Sequence, residues 1–392
     1  MADNFKSIKR VLMRVDYNVP INNGVISDLT RIQATIPTIN FFLNLGKQVV
    51  LMSHLGRPKA ESSKYSLKIL VKPLSGLLKR DVFFYKDWLT SQINLDDQPD
   101  VVLLENLRFY SGEINNDKVF AENLSRHGDI YVNDAFGVSH RYHASTFGIL
   151  SFFKKKYKGF LLSKEIKELT ALKNNPKTPF TVLVGGSKIG SKIHILKTFL
   201  GIADNILIGG GMAFPFVKKN GGDIGESLCL DEELDVVTDF LLQADQNNTN
   251  IILPIDCVVT DSIKNRSNIS IKKIDKIPSN CMGVDIGPQT MQIFEKYILD
   301  SKLILWNGPM GIAEIEEFSQ GTKKIANLIA SATHLGAYSL IGGGDTVSDV
   351  ARFGLKQQFS YVSTGGGAML EFFKNNYLEP TKDLLKINNE DY

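Results

Sequence analysis

The chain of 392 residues has few cysteines and little net charge. Cys229, Cys257 and Cys281 form no CxxC pair and no zinc-type spacing with histidine, which argues against a disulfide framework or a zinc site. A formal net charge of +3 is too small to indicate a nucleic-acid partner. No apolar run approaches the roughly 18 residues of a membrane span, and the first residues lack the apolar segment of a signal peptide. We therefore expect a soluble, cytoplasmic protein with no nucleic-acid or membrane partner.

Signatures of several enzyme classes are also missing. No stretch matches G-x-G-x-x-G, so the dinucleotide-binding fingerprint is absent. No Ser-His-Asp or Cys-His pattern stands out, and the scattered carboxylates do not suggest glycoside hydrolysis. These absences argue against a dehydrogenase and against hydrolases that use a nucleophilic serine or cysteine.

What is present is an alternation of short apolar runs with helix-like patterns. In the N-terminal half the runs cover residues 11–15, 49–52, 101–104 and 130–132, and polar groups follow each of them. Strands that alternate with helices favour a parallel sheet. The length, with 43% hydrophobic residues, suits two globular domains. We therefore predict an α/β fold with two domains.

Basic residues gather where the N-terminal strands end. Forked guanidinium groups suit phosphate and carboxylate, and imidazoles add further donors. Ligands of open parallel sheets bind at the carboxyl ends of the strands, which predicts a site for a small, multiply anionic molecule. The alternative is that each arginine is an ordinary solvated surface residue. The basic residues are Arg31, His54, Arg57, Arg108, His140, Arg141 and His143, and the polar residues Asp16 and Asn18 accompany them.

Glycine-rich turns follow the C-terminal strands, at residues 185–186, 209–211, 342–344 and 365–367. Such turns let backbone N–H groups and helix N-termini approach a nucleotide phosphate. Asp345 follows one of these turns and precedes Thr346, so its carboxylate is a candidate ligand of nucleotide-bound Mg²⁺. The alternative is that Asp345 is only the N-cap of the next helix.

Residues 181–193 predict a strand, a glycine turn and a helix that begins at Ser187. Lys188 and Lys192 would then lie on one face of the first turns, where like charges and the helix dipole disfavour them. A bound phosphate would reverse both effects. The alternative is an ordinary turn with two surface lysines.

Ordered blocks along nearly the whole chain resemble phosphoglycerate kinases. The blocks are RVDYNVP, DLTRI, SHLGRP, LLENLRF, VNDAFG, HRYH, GGSKIGSKI, IGGGMA, DIGP, WNGPMG, GGGDT and STGGGA. The resemblance implies two Rossmann-like domains, each a parallel sheet flanked by helices. Residues 1–158 would bind 3-phosphoglycerate and 1,3-bisphosphoglycerate, and residues 173–377 would bind the nucleotide. Residues 159–172 would form the interdomain helix and hinge, and the tail 378–392 would dock back on the first domain.

The resemblance also implies the reaction, a reversible transfer of the acyl phosphate of 1,3-bisphosphoglycerate to ADP with Mg²⁺, accompanied by domain closure. The implied triose ligands are Asp16, Asn18, Arg31, His54, Arg57, Arg108 and Arg141. The implied nucleotide ligands are Gly185, Lys192, Gly209, Gly210, Asn307, Glu314, Gly343, Gly344, Asp345 and Thr346, with Asp345 as the metal ligand. The groups implied to stabilise the phosphoryl group in transfer are Arg31, Lys188, Gly343, Gly344, Gly366 and Gly367.

This sequence departs from the family pattern at Ser187, Ser191, Cys281 and Ala313, where the family usually has Ala, Asp, Trp and Phe. We expect these changes to alter nucleotide affinity before they alter the reaction. We also expect a monomer. Two other interpretations remain: a nucleotide-dependent binding protein on a kinase fold, and an enzyme of another class, such as a different small-acid kinase.

Overall fold

The computed structural model describes residues 5–22, 24–90, 94–187, 189–190, 192–375 and 377–385. Contacts divide the chain into two compact units. The first unit is Met1–Thr170 with Asn375–Tyr392, and the second unit is Ala171–Lys374. Each unit contains a six-stranded parallel sheet with helices, so the predicted α/β fold is confirmed.

In the first unit, the central strands of the main sheet have side chains that are almost all buried. The strands of this unit are β1 (Arg10–Val15), β2 (Ile21–Asn22), β3 (Val25–Ile26), β4 (Gln48–Met52), β5 (Val82–Tyr85), β6 (Val101–Leu104), β7 (Ile130–Asp134) and β8 (Lys156–Lys158). The helices are α1 (Thr30–Asn44), α2 (Val71–Leu78), α3 (Ser111–Ile114) and α4 (Lys118–Ser125), and α5 (Phe160–Asn174) begins in this unit and ends in the second.

The main sheet of the first unit has the order β5-β6-β4-β1-β7-β8, while β2 and β3 form a separate antiparallel pair. Every pairing in the main sheet is parallel. The register sets Arg14 beside both Met52 and Asn133, so β1, β4 and β7 end at one edge. The loops that leave this edge therefore carry their polar side chains to the same place.

The second unit has a similar parallel sheet and a smaller antiparallel one. The strands are β9 (Phe180–Val184), β10 (Asn205–Ile208), β11 (Asp223–Ile224), β12 (Asn250–Ile252), β13 (Asp256–Thr260), β14 (Ser270–Lys273), β15 (Lys276–Ile277), β16 (Met282–Ile286), β17 (Leu303–Asn307), β18 (Tyr338–Gly342) and β19 (Tyr361–Val362). The helices are α6 (Ile193–Leu196), α7 (Phe214–Lys219), α8 (Glu232–Gln246), α9 (Pro288–Asp300), α10 (Gln320–His334), α11 (Gly344–Arg352) and α12 (Gly366–Asn375).

The parallel sheet of the second unit has the order β12-β10-β9-β17-β18-β19. Trp306 in β17 is fully buried and packs in a cluster with Phe294, Ile304 and Ile329. The antiparallel sheet β14-β13-β16 lies outside the strand-helix alternation and was not predicted from the sequence.

A short helix, α13 (Lys382–Leu385), follows the second unit in the chain and packs with the first. Leu378, Thr381 and Leu384 are buried, and the Thr381 hydroxyl donates to the carbonyl of Ser139 at 3.5 Å. Residues 386–392 of the predicted docking tail lie outside the described residues. Among the described helices, none has the length and apolar character needed to cross a bilayer.

Candidate active site

In the first unit, five of the predicted ligands lie in one chain of contacts. Arg31 donates from Nη1 to Asp16 Oδ2 at 3.0 Å and to the carbonyl of Asn18 at 3.1 Å. Asn18 Oδ1 accepts from the N–H of Gly56 at 2.8 Å, and the Gly56 carbonyl accepts from Arg108 Nη1 at 2.6 Å. His54 Nδ1 lies 3.8 Å from Asp16 Oδ1. The loops after β1, β4 and β6 therefore converge.

Arg31, His54 and Arg108 belong to a basic cluster, formed by Arg31, His54, Arg57, Arg108, His140, Arg141 and His143. Burial, with repulsion from Arg141 and Arg14, lowers the pKa of Arg108 to about 10. Burial also lowers the pKa of Arg141, where attraction to Asp16 opposes repulsion from Arg57 and other arginines. Arg57 and Arg141 thus act electrostatically on the other members. The cluster concentrates positive charge that an anion would neutralise.

The three histidines of the basic cluster are neutral near pH 7. Burial and the surrounding arginines hold the pKa of His54 well below 6.5. Burial, followed by repulsion from Arg141, lowers the pKa of both His140 and His143 to about 4. Neutral imidazoles can donate hydrogen bonds to an anion while the arginines supply the charge.

Two buried charged residues under this cluster, Arg14 and Glu113, were not singled out from the sequence. Arg14 is 1% exposed and Glu113 is 0% exposed. Arg14 lies within β1 at a position where the apolar pattern predicts a hydrophobic residue. The one indication in the sequence was a charged residue inside an otherwise apolar strand. Since charges are buried only when they are paired, such a residue predicts a buried partner of opposite charge.

In the second unit, a cleft of about 510 Å³ lies beside the glycine turns. Gly210, Glu314 and Asp345, three of the implied nucleotide ligands, line it. Its walls are mainly apolar, which suits the faces of a purine. These wall residues could not be predicted, because their sequence pattern is that of core positions: Phe214, Met282, Val284, Met310 and Ile312.

The glycine turn after β9 does not start a helix at Ser187, so that prediction was wrong. Gly186 has a φ of +106°, its N–H donates to the carbonyl of Pro309, and its carbonyl accepts from Met212. These bonds to other loops replace the helical ones, and α6 begins only at Ile193. Lys188 and Ser191 lie outside the described residues.

Lys192 lies behind this turn. Its Nζ donates to the carbonyl of Gly185 at 2.8 Å. Burial lowers the pKa of Lys192 to about 8, against the opposing attraction of Asp345. The Gly185 N–H in turn donates to the carbonyl of Asn307, and the Gly209 N–H donates to that of Val184. The predicted residues Gly185, Lys192, Gly209 and Asn307 thus form the layer next to the cleft.

The N-terminal ends of α11 and α12 meet beside Asn307. Gly366 packs on Gly343, and the Asn307 amide nitrogen lies next to both glycines. Gly343 is the N-cap of α11, so the alternative role of Asp345 as N-cap was wrong. Asp345 lies in the first turn with its side chain exposed. Thr346 is buried, and its Oγ1 accepts from the Gly308 N–H at 2.7 Å.

The described departures from the family pattern have distinct surroundings. Ser187 lines the cleft. Ala313 is 1% exposed, and its carbonyl accepts from Arg352. Cys281 is buried, and its thiol contacts Asn280 Oδ1 at 3.7 Å. Of these three, Ser187 is the one that faces the space proposed for the nucleotide.

Comparisons with known proteins agree over nearly the whole chain. A family model described as phosphoglycerate kinase matches residues 2–376. A phosphoglycerate kinase of Thermosipho africanus is 46% identical over 378 residues, covering 94% of this chain and 93% of that protein. One of Borreliella afzelii is 44% identical over 384 residues, covering 96% of both.

Solved structures give the same result. The phosphoglycerate kinase of Coxiella burnetii has a TM-score of 0.80 at 39% identity, covering 96% of each chain. That of Pyrococcus horikoshii has a TM-score of 0.84 at 29% identity, covering 98% of this chain and 97% of that one. By sequence and by fold, this chain belongs to the phosphoglycerate kinase family.

Proposed function

We propose that this protein transfers the acyl phosphate of 1,3-bisphosphoglycerate reversibly to ADP, giving 3-phosphoglycerate and ATP. Family membership supports the reaction. The structural observation that carries the proposal is the basic cluster, in which neutral imidazoles accompany several arginines at one edge of a sheet. 3-Phosphoglycerate carries both a phosphate and a carboxylate, and so has the negative charge that this cluster needs.

The triose would be held by Asp16, Asn18, Arg31, His54, Arg57, Arg108 and Arg141. The arginines can bind the phosphate and carboxylate with paired N–H groups. Asp16 holds Arg31 through a 3.0 Å ion pair, which fixes the direction of its guanidinium. Asp16 and Asn18 also offer acceptors that suit a substrate hydroxyl.

The nucleotide would occupy the cleft of the second unit, with its base between the apolar walls. Lys192 would bind its phosphates, the turns at Gly185, Gly209 and Gly210 would line its pocket, and Glu314 is the proposed acceptor for its ribose. The donor set fits Mg²⁺, which usually takes one or two carboxylates and completes its shell with phosphates and water. Asp345 is such a single exposed carboxylate, and the described residues contain no group of three or more potential metal ligands. When bound, Mg²⁺ would neutralise phosphate charge.

For the transfer step, we assign the stabilisation of the moving phosphoryl group to backbone N–H groups and two cations. The N-terminal ends of α11 and α12 supply the N–H groups of Gly343, Gly344, Gly366 and Gly367. Arg31 and Lys188 supply the positive charge. Such a transition state spreads charge over three equatorial oxygens, so positioned donors matter more than a general base. The carboxylate product is a good leaving group.

Domain closure, a monomeric state and a cytoplasmic location stay predictions. Small-angle scattering with 3-phosphoglycerate and ATP tests closure, since compaction is expected only when both are present. A coupled assay with ADP and 1,3-bisphosphoglycerate, with and without Mg²⁺, tests the reaction. Binding of nucleotide without turnover would favour a binding protein. Turnover with another acyl phosphate in place of the triose would favour a different kinase.

A further inference from the structure

A buried ion pair lies beneath the basic cluster and has no part in the proposed transfer. Arg14 Nη2 is 3.9 Å from Glu113 Oε1, and both side chains are almost completely shielded from solvent. Burying two charges is costly unless each is paired and hydrogen-bonded. This arrangement therefore raises the question of what the pair does for the site above it.

Ser145 joins the two charges. Its hydroxyl accepts from Arg14 Nε at 2.8 Å and donates to Glu113 Oε1 at 2.6 Å. Its backbone N–H donates to Glu113 Oε2 at 2.9 Å. The serine thus uses its donor and its acceptor at once, and both carboxylate oxygens are occupied. Arg14 is held in one orientation by a fully buried hydroxyl and carboxylate.

The far end of Arg14 reaches His54. Arg14 Nη2 lies 3.3 Å from His54 Nδ1. A guanidinium group has only donors, so Nδ1 must be the acceptor and the proton of the neutral ring must be on Nε2. Asp16 Oδ1, at 3.8 Å from Nδ1, is too far to compete for this position. The other charged groups that act on His54 are Arg31, Arg108 and Arg141, all cationic.

Glu113 is also tied to the loop that carries Arg141 and His143. The Glu113 carbonyl accepts from the Ala144 N–H at 2.9 Å, and Glu113 Oε1 is 3.7 Å from His143 Nδ1. One short helical turn, α3, therefore contacts the basic cluster both through Arg14 and through this loop.

We propose that Glu113 and Ser145 are positioning residues for the triose phosphate, because through Arg14 they fix His54 as the Nε2–H tautomer. His54 then presents a hydrogen-bond donor, not a lone pair, to an anionic substrate. This inference rests on the proposed triose-binding role of the basic cluster. Neither residue touches substrate in this account; they act through Arg14 and His54.

The test uses Ser145→Ala, because Glu113→Gln would leave the Arg14 charge buried without its partner and risks unfolding. The matched control is Ser139→Ala. Ser139 is another fully buried serine of the first unit, and its hydroxyl donates to Ala135 and accepts from Asn133. We expect Ser145→Ala to raise KM for 3-phosphoglycerate roughly tenfold, with KM for ATP within about twofold of its original value. An unchanged KM for 3-phosphoglycerate, or an equal rise in the control, would overturn the proposal.

A second readout reports the tautomer directly in the substrate-free protein. The chain has six histidines, so ¹⁵N-histidine labelling gives a sparse spectrum, and His54→Gln identifies the His54 signals. We expect the Nε2–H correlation pattern in the unaltered protein and a mixture of tautomers in Ser145→Ala. An Nδ1–H pattern, or the same pattern in both proteins, would contradict the proposal. Because this measurement needs no turnover, it is independent of the enzymatic assay.

Discussion

A side chain at Gly366 would overlap the backbone nitrogen and Cα of Gly343, because the first turns of α12 and α11 abut. The Asn307 amide nitrogen lies 3.0 Å from the position of a Cβ on Gly366 and 3.1 Å from that of one on Gly343. This packing brings the N–H groups of two helix starts together, which suits a phosphoryl group.

Two alanine substitutions separate packing from ligand binding at this point. Gly366→Ala must displace α11, so we expect a loss of about 1 to 3 kcal/mol in the free energy of unfolding. Gly344→Ala places its methyl in open space, with no atom within 4 Å. We expect it to fold normally but to lose activity, because that space is the proposed phosphoryl site. Thermal unfolding and kcat measure the two effects.

Gly76→Ala is the control for these variants, because its methyl also meets no atom within 4 Å and the residue lies in α2, far in sequence from the glycine turns. It should change neither activity nor, beyond about 1 kcal/mol, stability. Full activity of Gly344→Ala would show that the transferring group does not approach α11.

Removing Arg31 should stop turnover without unfolding the protein. We expect Arg31→Ala to lower kcat by about 10³-fold or more, as for other arginines that neutralise a phosphoryl transition state. Arg31 is partly exposed, so the unfolding free energy should change by about 1 kcal/mol or less. Steady-state kinetics and thermal unfolding give both quantities.

Arg80→Ala is the matched control, since this exposed arginine of the same unit also has an aspartate partner, Asp100, at 3.0 Å. It should leave kcat unchanged. If Arg31→Ala and Arg80→Ala have similar turnover, the assigned role of Arg31 is wrong.

ADP binding should take up a proton near pH 8. The pKa of Lys192 is lowered to about 8 chiefly by burial, so the group is only partly charged there. A phosphate next to it would raise its pKa, so ADP affinity should rise as pH falls from about 9 to 7. Calorimetry in buffers of different ionisation enthalpy measures the uptake. Lys192→Arg keeps the charge but does not titrate, so the uptake should vanish; uptake of equal size in this variant would contradict the assignment.

The buried carboxyl of Asp134 predicts how stability depends on pH. Burial raises the pKa of Asp134 to about 7, against hydrogen bonds from Thr38 and the first turn of α5. The folded state therefore binds this proton more tightly than the unfolded state. The contribution of Asp134 to the free energy of unfolding is therefore greatest below pH 4 and is lost as pH rises to 7. Thermal unfolding between pH 5 and 8 measures this effect.

Asp134→Asn removes the titration, so the free energy of unfolding of this variant should depend less on pH. Compared with the unaltered protein, the variant should be more stable at pH 8 than at pH 5. The expected difference is roughly 2 to 4 kcal/mol, since a tenfold change in a protonation equilibrium is about 1.4 kcal/mol. Asp300→Asn, at the exposed end of α9, is the control and should keep the original slope. An unchanged slope in Asp134→Asn would refute the assignment.

The sequence predicted the strand ends that carry ligands but not the contacts that run between distant loops. Asp16 and His54 follow strands whose apolar pattern is local, so their shared edge could be predicted. The start of α6 could not, because Gly186 bonds to Pro309 and Met212, far away in the chain. The link from Arg14 to Glu113 is likewise long-range. The antiparallel strands β13, β14 and β16 interrupt the strand-helix alternation, and the apolar cleft walls have the sequence pattern of core residues, so neither could be predicted.

The most direct test of the central claim is a coupled assay of the purified chain with 3-phosphoglycerate and ATP, run beside Asp345→Asn and with Mg²⁺ removed by a chelator. The proposed function predicts turnover that requires all three components and that falls sharply in the variant. The absence of turnover when both substrates and Mg²⁺ are present would contradict it. So would turnover that is unchanged both without Mg²⁺ and in Asp345→Asn.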